Sequence, residues 1–254
     1  MMGFLRKMYL MTQDFIPRWF RDKIMDIYYT SSIGELWTIN DIERFYRELK
    51  IIKEGDLVFD VGANKGLYAK AFERLGAKVI AIEPNRILIP ILKKRLTEGI
   101  IIEKGVGDRI GKMKFYISES IATSSFSEKF VRIGKKRAGT KYTETKEVDM
   151  TTLDELISNY GLPKYCKIDV EGFEKSVLSG LSQKIDVLSF EYHNFMIDEA
   201  NSCLERLENL GFTQFNFVYH GNLFSKEWIK KDELLNKIRE AFRSDEITTD
   251  IFAK

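Results

Sequence analysis

Residues 57–66 read Leu57-Val58-Phe59-Asp60-Val61-Gly62-Ala63-Asn64-Lys65-Gly66. A short apolar run ends on an acid, passes through a glycine-rich turn and opens a helical stretch that continues to Leu75. Gly62 lets the backbone approach a ligand closely, and Gly66 permits a tight turn into the helix. The first N–H groups of that helix have no partner within it. The next strand, Lys78–Ile82, ends at Glu83, which stands 21 residues after Gly62. An acid at that place can hold a ribose diol.

The alternation extends outward from this unit. Downstream, Arg86–Leu96 reads as a helix and Ile100–Glu103 as a strand. After a break come a strand at Lys164–Val170, a helix starting at Phe173–Leu178, a strand at Ile185–Tyr192, a helix at Glu199–Leu210 and a last clear strand at Phe212–Val218. Strands alternating with helices predict right-handed crossovers and a parallel sheet. Lys230–Phe242 alternates charged and apolar positions as a surface helix does.

In the break, Lys112–Ile117 and Thr145–Val148 read as strands around a polar excursion, Ser118–Thr143. We expect residues 118–143 to be an inserted mobile loop, and the basic run at 129–141 to be a solvated face. Upstream, residues 15–50 read as helices, with Asn40 as an N-cap and Glu43 at the reciprocal capping-box position. The expected organisation is an N-terminal helical extension over 1–50 and one domain over 51–254.

Composition narrows the function classes. The chain has 254 residues with 40 Lys+Arg against 38 Asp+Glu, too balanced to imply a nucleic-acid partner. Two cysteines, Cys166 and Cys203, exclude a disulfide framework and a cysteine zinc site, and two histidines exclude a histidine-rich one. No apolar run reaches the roughly 20 residues of a membrane helix. The start of the chain lacks a clean signal-peptide pattern, so a reduced, cytoplasmic setting is expected. The Met and aromatic residues of 8–28 read as packing positions, and His220 as a surface turn residue.

Two cofactor classes compete for the glycine loop. A dinucleotide wants G-x-G-x-x-G, but Asn64 stands where the middle glycine should be. Asp60 would repel a diphosphate, whereas its charge suits the amino-acid and sulfonium end of S-adenosylmethionine. A nicotinamide-dependent oxidoreductase and a non-catalytic nucleoside-binding module remain as alternatives.

The segments VFDVGANKGLYAKAF, VIAIEPN, GVGDRIGKMKFY, TTLDELI and CKIDVEGFEKSVLSGL occur in this order. Together they resemble the FkbM-type family of S-adenosylmethionine-dependent methyltransferases over roughly residues 50–225. The resemblance implies a class I methyltransferase fold, Rossmann-like and three-layered. Its sheet would have seven mostly parallel strands, with one antiparallel strand near the C-terminus. It implies O-methylation of a hydroxyl on a small-molecule or carbohydrate acceptor. It also implies that Asp60, Gly62, Ala63, Asn64 and Gly66 line the methionine side of the donor. Glu83 would take the ribose with Asn85 nearby, and Val106, Gly107 and Asp108 would lie by the adenine.

A second constellation follows. Asp169 and Glu171 lie two apart at a strand end, and Glu191 and His193 repeat the arrangement on the next strand. Residues two apart on a strand point the same way, and ligands of open parallel sheets lie beyond the carboxyl ends of strands. Asp169, His193 and Glu171 are therefore the candidate catalytic groups, since methyl transfer needs a positioned, deprotonated oxygen. A magnesium ion on Asp169 and neighbouring oxygens is a further reading. The sequence offers no clear third ligand, and no metal is assigned.

Overall fold

The structure, a computed structural model, describes residues 32–119, 123–219, 221–242 and 248–254, with side chains from residue 38 onward. Helix α1 is Ser32–Leu49, followed by strand β1 (Leu57–Val61), α2 (Leu67–Arg74), β2 (Lys78–Ile82), α3 (Ile89–Arg95) and β3 (Ile100–Ile102). Then come β4 (Gly105–Val106), β5 (Gly111–Ser118), α4 (Glu128–Ala138), β6 (Tyr142–Thr151), α5 (Leu153–Tyr160), β7 (Tyr165–Ile168) and α6 (Glu174–Ser179). The chain closes with β8 (Val187–His193), α7 (Ile197–Asn209), β9 (Phe215–Tyr219), β10 (Asn222–Leu223), α8 (Lys231–Ala241) and β11 (Thr248–Ala253).

The main sheet has the order β10-β9-β11-β8-β7-β1-β2-β3. Strands β3, β2, β1, β7 and β8 pair in parallel, and β11 runs antiparallel between β8 and β9. Seven strands were expected; the eighth, β10, is a two-residue hairpin partner on the outer edge of β9. Residues alternate faithfully between the two faces of the sheet. Phe59, Val61, Ile80, Ile82, Cys166, Ile168, Leu188 and Phe190 face one core, which α5, α6 and α7 cover. Val58, Val79, Ala81, Tyr165 and Val187 face the other, beneath α1, α2 and α3. A sheet apolar on both faces must be covered on both, which gives the three-layer, Rossmann-like class I methyltransferase arrangement.

Three local expectations change. Asn40 is not an N-cap: α1 runs through it, and its Oδ1 accepts from Arg74 of α2 at 2.7 Å. A tertiary partner has taken up the amide that a capping box would have used. The 118–143 stretch contains a helix, α4, capped by Ser127, whose side chain accepts from the Phe130 N–H. The strands on either side of it join β4 in a separate three-stranded sheet around Phe115, Ile117, Phe126 and Met150. The expected role of His220, and that of the Met and aromatic residues before residue 32, fall outside the described residues.

The loop between α3 and β3 depends on a single carboxylate. Glu73, at the end of α2, accepts from the N–H groups of Thr97, Glu98 and Gly99 and from Lys70 Nζ. Burial alone would push its carboxyl up, but these four donors hold it below the ordinary range. Glu73→Ala leaves three backbone donors without their acceptor, and about 1–3 kcal/mol of stability should go, as read by urea unfolding. A carboxyl held low in the folded state adds stability that is present above its unfolded pKa and lost as pH falls through the folded one. The difference between wild type and variant should therefore shrink below about pH 4.

Candidate active site

The loop between β1 and α2 is held by backbone hydrogen bonds from Gly62 N and Ala63 N to the Ile82 carbonyl, at 2.9 and 3.0 Å. Gly62 sits at φ 82°, and a Cβ there would stand 1.8 Å from the Asp169 carbonyl oxygen. Only glycine lets the ends of β1 and β7 meet this closely. Gly66, at φ 77°, precedes the first residue of α2, and a Cβ on it would run into Leu92 at 2.6 Å.

Glu83 lies just beyond β2 with 5% exposure. Its Oε2 accepts from Asn64 N at 2.8 Å and its Oε1 from Asn85 N at 2.7 Å. Burial pushes its pKa up to about 7; the two N–H groups oppose that shift, and the charges of Asp60 and Asp169 add to it. Asp60 is buried in β1, and burial raises it to about 6 despite the Lys167 ammonium nearby. Asn85 is buried too, with Oδ1 accepting from Ile87 N at 3.1 Å.

A cavity of about 240 Å³ opens beside this loop. Gly62, Asn64, Glu83, Val106, Asp169 and Glu171 line it. Lys104, Gly105, Phe115 and Phe126 line it as well and were not foreseen from the sequence. Gly107 and Asp108 stand outside this wall: Gly107 lies against Met150 and Phe173, and Asp108 is a partly exposed neighbour of Arg109. Asp60, Ala63, Gly66 and Asn85 lie near lining residues along the chain but are not themselves part of this wall.

A second cavity, of about 290 Å³, is lined by Tyr68, Val218, Phe242, Thr248, Thr249 and Asp250. Asp169 and Glu191 line both cavities and form the wall between them.

Strand alternation, which the sequence led us to expect, does not bring Asp169 and Glu171 together. Strand β7 ends at Ile168, and Glu171 sits in a turn at φ 56°. The turn, not the pleat, brings both carboxylates to one cavity. Glu191 and His193 do obey the pleat on β8, with Glu191 Oε2 3.0 Å from His193 Nε2. His193 is 7% exposed, stacks on Phe195 and packs against Phe130 of α4. Its Nδ1 lies 3.2 Å from Thr248 Oγ1. Burial lowers its pKa, with Glu174 and Asp169 opposing, so it is neutral at pH 7.

Beneath this cluster lies a group the sequence reading missed. Lys167, 1% exposed in the middle of β7, donates to Asp169 Oδ2 at 2.6 Å and lies 4.3 Å from the centre of the Tyr68 ring. Burial opposes its charge, but Asp169, Asp250 and Asp60 hold it well above the ordinary lysine range. Burial would likewise raise Asp169, yet the Lys167 contact holds it below the usual carboxylate range. The available signal was a lysine flanked by apolar strand residues and followed two positions later by an acid.

The family model "Methyltransferase FkbM domain" matches residues 60–224. The chain belongs to the FkbM methyltransferase family. Its cofactor is S-adenosylmethionine, which decides the choice between donor and dinucleotide that the loop had posed. A curated relative is the Hexuronic acid methyltransferase AglP of Haloferax volcanii, 29% identical over 166 residues. That match covers 63% of this chain and 65% of the relative, so the chain spans a little under two thirds of the relative's length. Solved structures similar to this chain include an S-adenosylmethionine-dependent O-methyltransferase from Thermotoga maritima, at 14% identity, 83% and 63% coverage and TM-score 0.42. Another is the Precorrin-6y C5,15-methyltransferase of Geobacter metallireducens, at 11% identity, 89% coverage of each chain and TM-score 0.41.

The donor fits the residues present. Asp60 Oδ2 and Asn85 Nδ2 are buried atoms without a hydrogen-bond partner among the described residues. Glu83 keeps one lone pair on each oxygen beyond those its two backbone donors use. Among the described residues, no helix is long and apolar enough to cross a membrane.

Proposed function

We propose that the protein is an O-methyltransferase that moves a methyl group from S-adenosylmethionine to a hydroxyl of a sugar, glycan or secondary metabolite, with a sugar acid as the first candidate. The observation that carries this reading is the pair of cavities meeting at Asp169 and Glu191. Bound donor supplies a methyl already activated on a cationic sulfur. The chain's own task is then to hold two partners in line and to manage one proton.

On the donor side, Glu83 takes the ribose diol and Asn64, Gly62 and Val106 frame the rest. The surrounding carboxylates of Asp60, Asp169 and Glu171 favour a cationic ligand. On the acceptor side, Tyr68, Thr248, Thr249 and Asp250 offer hydroxyls and a carboxylate, which suit a polyhydroxylated molecule. Asp169, kept ionised by Lys167, accepts a hydrogen bond from the acceptor hydroxyl and orients its oxygen. One bond forms from that oxygen to the methyl carbon, one breaks from carbon to sulfur, and sulfur keeps the electron pair. The hydroxyl proton passes to the Asp169–Glu191 carboxylate pair.

The relative that acts on a hexuronic acid supports a carbohydrate acceptor, and the balanced charge of the chain speaks against nucleic acid. The two free, buried thiols, Cys166 and Cys203, suit a reducing, cytoplasmic setting.

The test is a panel of hexuronates, glycosides and hydroxylated metabolites incubated with the donor, read by S-adenosylhomocysteine release and by product mass. Asp169→Asn should lower kcat on an authentic acceptor by ~10²-fold or more. Its affinity for S-adenosylhomocysteine should stay within about threefold of wild type. Wild-type turnover in that variant would overturn the role given to Asp169. Tight NADH binding without affinity for S-adenosylhomocysteine would overturn the methyltransferase reading itself.

A further inference from the structure

We propose that Glu171, Glu191 and His193 form a binding site for one divalent transition-metal cation, of the Mn²⁺ type, at the wall between the two cavities. One ligand atom from each of the three residues lies within 4.8 Å of the other two. Glu191 Oε2 and His193 Nε2 stand 3.0 Å apart. In an octahedral site with bonds near 2.1 Å, adjacent ligands are about 3.0 Å apart and opposite ones about 4.2 Å. The Glu191–His193 separation is that of two adjacent ligands, and Glu171 stands close enough to complete the set by a small side-chain rotation.

A second observation is independent of the acidic cluster. His193 is 7% exposed and its ring is fixed by Phe130, Phe195 and the Thr248 hydroxyl at Nδ1. Its Nε2 is buried, faces Glu191 and makes no aligned hydrogen bond; the Glu191 Oε2 opposite is in the same condition. A neutral imidazole anchored through Nδ1 offers Nε2 as a metal ligand. Two buried polar atoms that face each other without an aligned partner are what a cation between them would explain. Lys167, the buried cation of the neighbourhood, is bonded to Asp169 instead. Glu171 is held in position by its backbone, whose carbonyl accepts from Ser125 Oγ at 2.7 Å.

The donor set decides the class of ion. Two carboxylates and one imidazole suit Mn²⁺, Fe²⁺ or Co²⁺ better than Mg²⁺ or Ca²⁺, which favour oxygen throughout. Three protein ligands leave positions for oxygen atoms of an acceptor, and a vicinal diol could occupy two of them. That last use rests on the methyltransferase reading; the site itself does not.

The experiment uses the full chain after removal of metal by a chelator and dialysis. MnCl₂ is added and free Mn²⁺ is followed by electron paramagnetic resonance, with a parallel calorimetric titration. The same samples are titrated with S-adenosylhomocysteine, which reports on donor binding and folding separately. One Mn²⁺ per chain with a micromolar Kd is expected. Glu191→Gln and His193→Ala should each weaken it by ~10-fold or more, and His193→Ala, at a residue that lines neither cavity, should retain its affinity for S-adenosylhomocysteine. The nitrogen coupling of a histidine ligand should be present in the pulsed spectrum of wild type and absent in His193→Ala. A protein that binds S-adenosylhomocysteine yet takes up no Mn²⁺ below 1 mM, at the order of magnitude that separates sites from adventitious binding, would overturn the proposal. So would Mn²⁺ binding that His193→Ala leaves unchanged.

Discussion

Lys167→Met is expected to cost the fold about 3–5 kcal/mol at pH 8 and to leave no measurable turnover. The residue is 1% exposed and is the positive charge that Asp60, Asp169 and Asp250 share. Methionine has nearly the length of the lysine stem and can still pack against Tyr68, so the loss is one of charge and not of volume. Removing one partner from a buried ion group leaves the others uncompensated, which costs far more than the group contributes over an apolar replacement. A loss of that size is a large share of the 5–15 kcal/mol that a domain commonly has.

The pH dependence gives the variant a signature that a cavity would not. Without the ammonium, Asp60, Asp169 and Asp250 lose the largest interaction that lowers them, and burial drives all three carboxyls upward. A carboxyl whose folded pKa lies above its unfolded value gives stability that is complete below the unfolded pKa. That stability is lost as pH rises through the folded one. The deficit of Lys167→Met should therefore grow from pH 5 to pH 8, read by urea unfolding at each pH. Should the variant fail to fold at pH 8, the comparison at pH 5 and the behaviour of Asp250→Asn, which removes one of the acids, still test the idea. A deficit under 1 kcal/mol that is flat with pH would sink it.

How much of this was legible beforehand depends on how local each signal is. The β1–α2 unit is encoded in consecutive residues, and Lys78–Ile82 forms the strand that its apolar run predicts. Glu83 follows from its distance along the chain to Gly62. The position of Asp169 follows from a general property of parallel sheets. The antiparallel strand that the resemblance implied near the C-terminus is β11, but its residues were not legible: TTDIFA has little pattern of its own, and its place between β8 and β9 is fixed by long-range pairing. Helix α4 was hidden because its basic residues made the stretch read as a solvated loop. Only the three-dimensional structure sets Phe130 against Gly172 and His193, making that helix a roof over the site. Lys167 was invisible for another reason. A lysine in a strand counts as a polar interruption, and its meaning depends on Asp60 and Asp250, which lie on β1 and β11.

Glu83→Ala should weaken S-adenosylhomocysteine binding by ~100-fold or more, which corresponds to about 2.7 kcal/mol. Two losses combine. The ribose loses a bidentate acceptor of the kind that charged hydrogen bonds make strong. The N–H groups of Asn64 and Asn85 lose their shared acceptor, so the loop that frames the donor loses its anchor. The pH profile separates the two. With its pKa near 7 in the free protein, Glu83 must give up a proton to serve as a carboxylate. Donor affinity in wild type should thus rise with pH through 7, by at most tenfold per unit below it. Stability of the free protein should move the other way. A carboxyl raised by burial contributes stability below its unfolded pKa and loses it as pH climbs through 7, so the free protein weakens where donor binding strengthens. Calorimetric titration from pH 6 to 8.5 and thermal melts of the unliganded protein over the same range measure both slopes. Glu83→Gln, which keeps the shape but cannot ionise, should flatten both. Donor affinity that is level across this range in wild type would mean that Glu83 binds as the acid or that the ribose is held elsewhere.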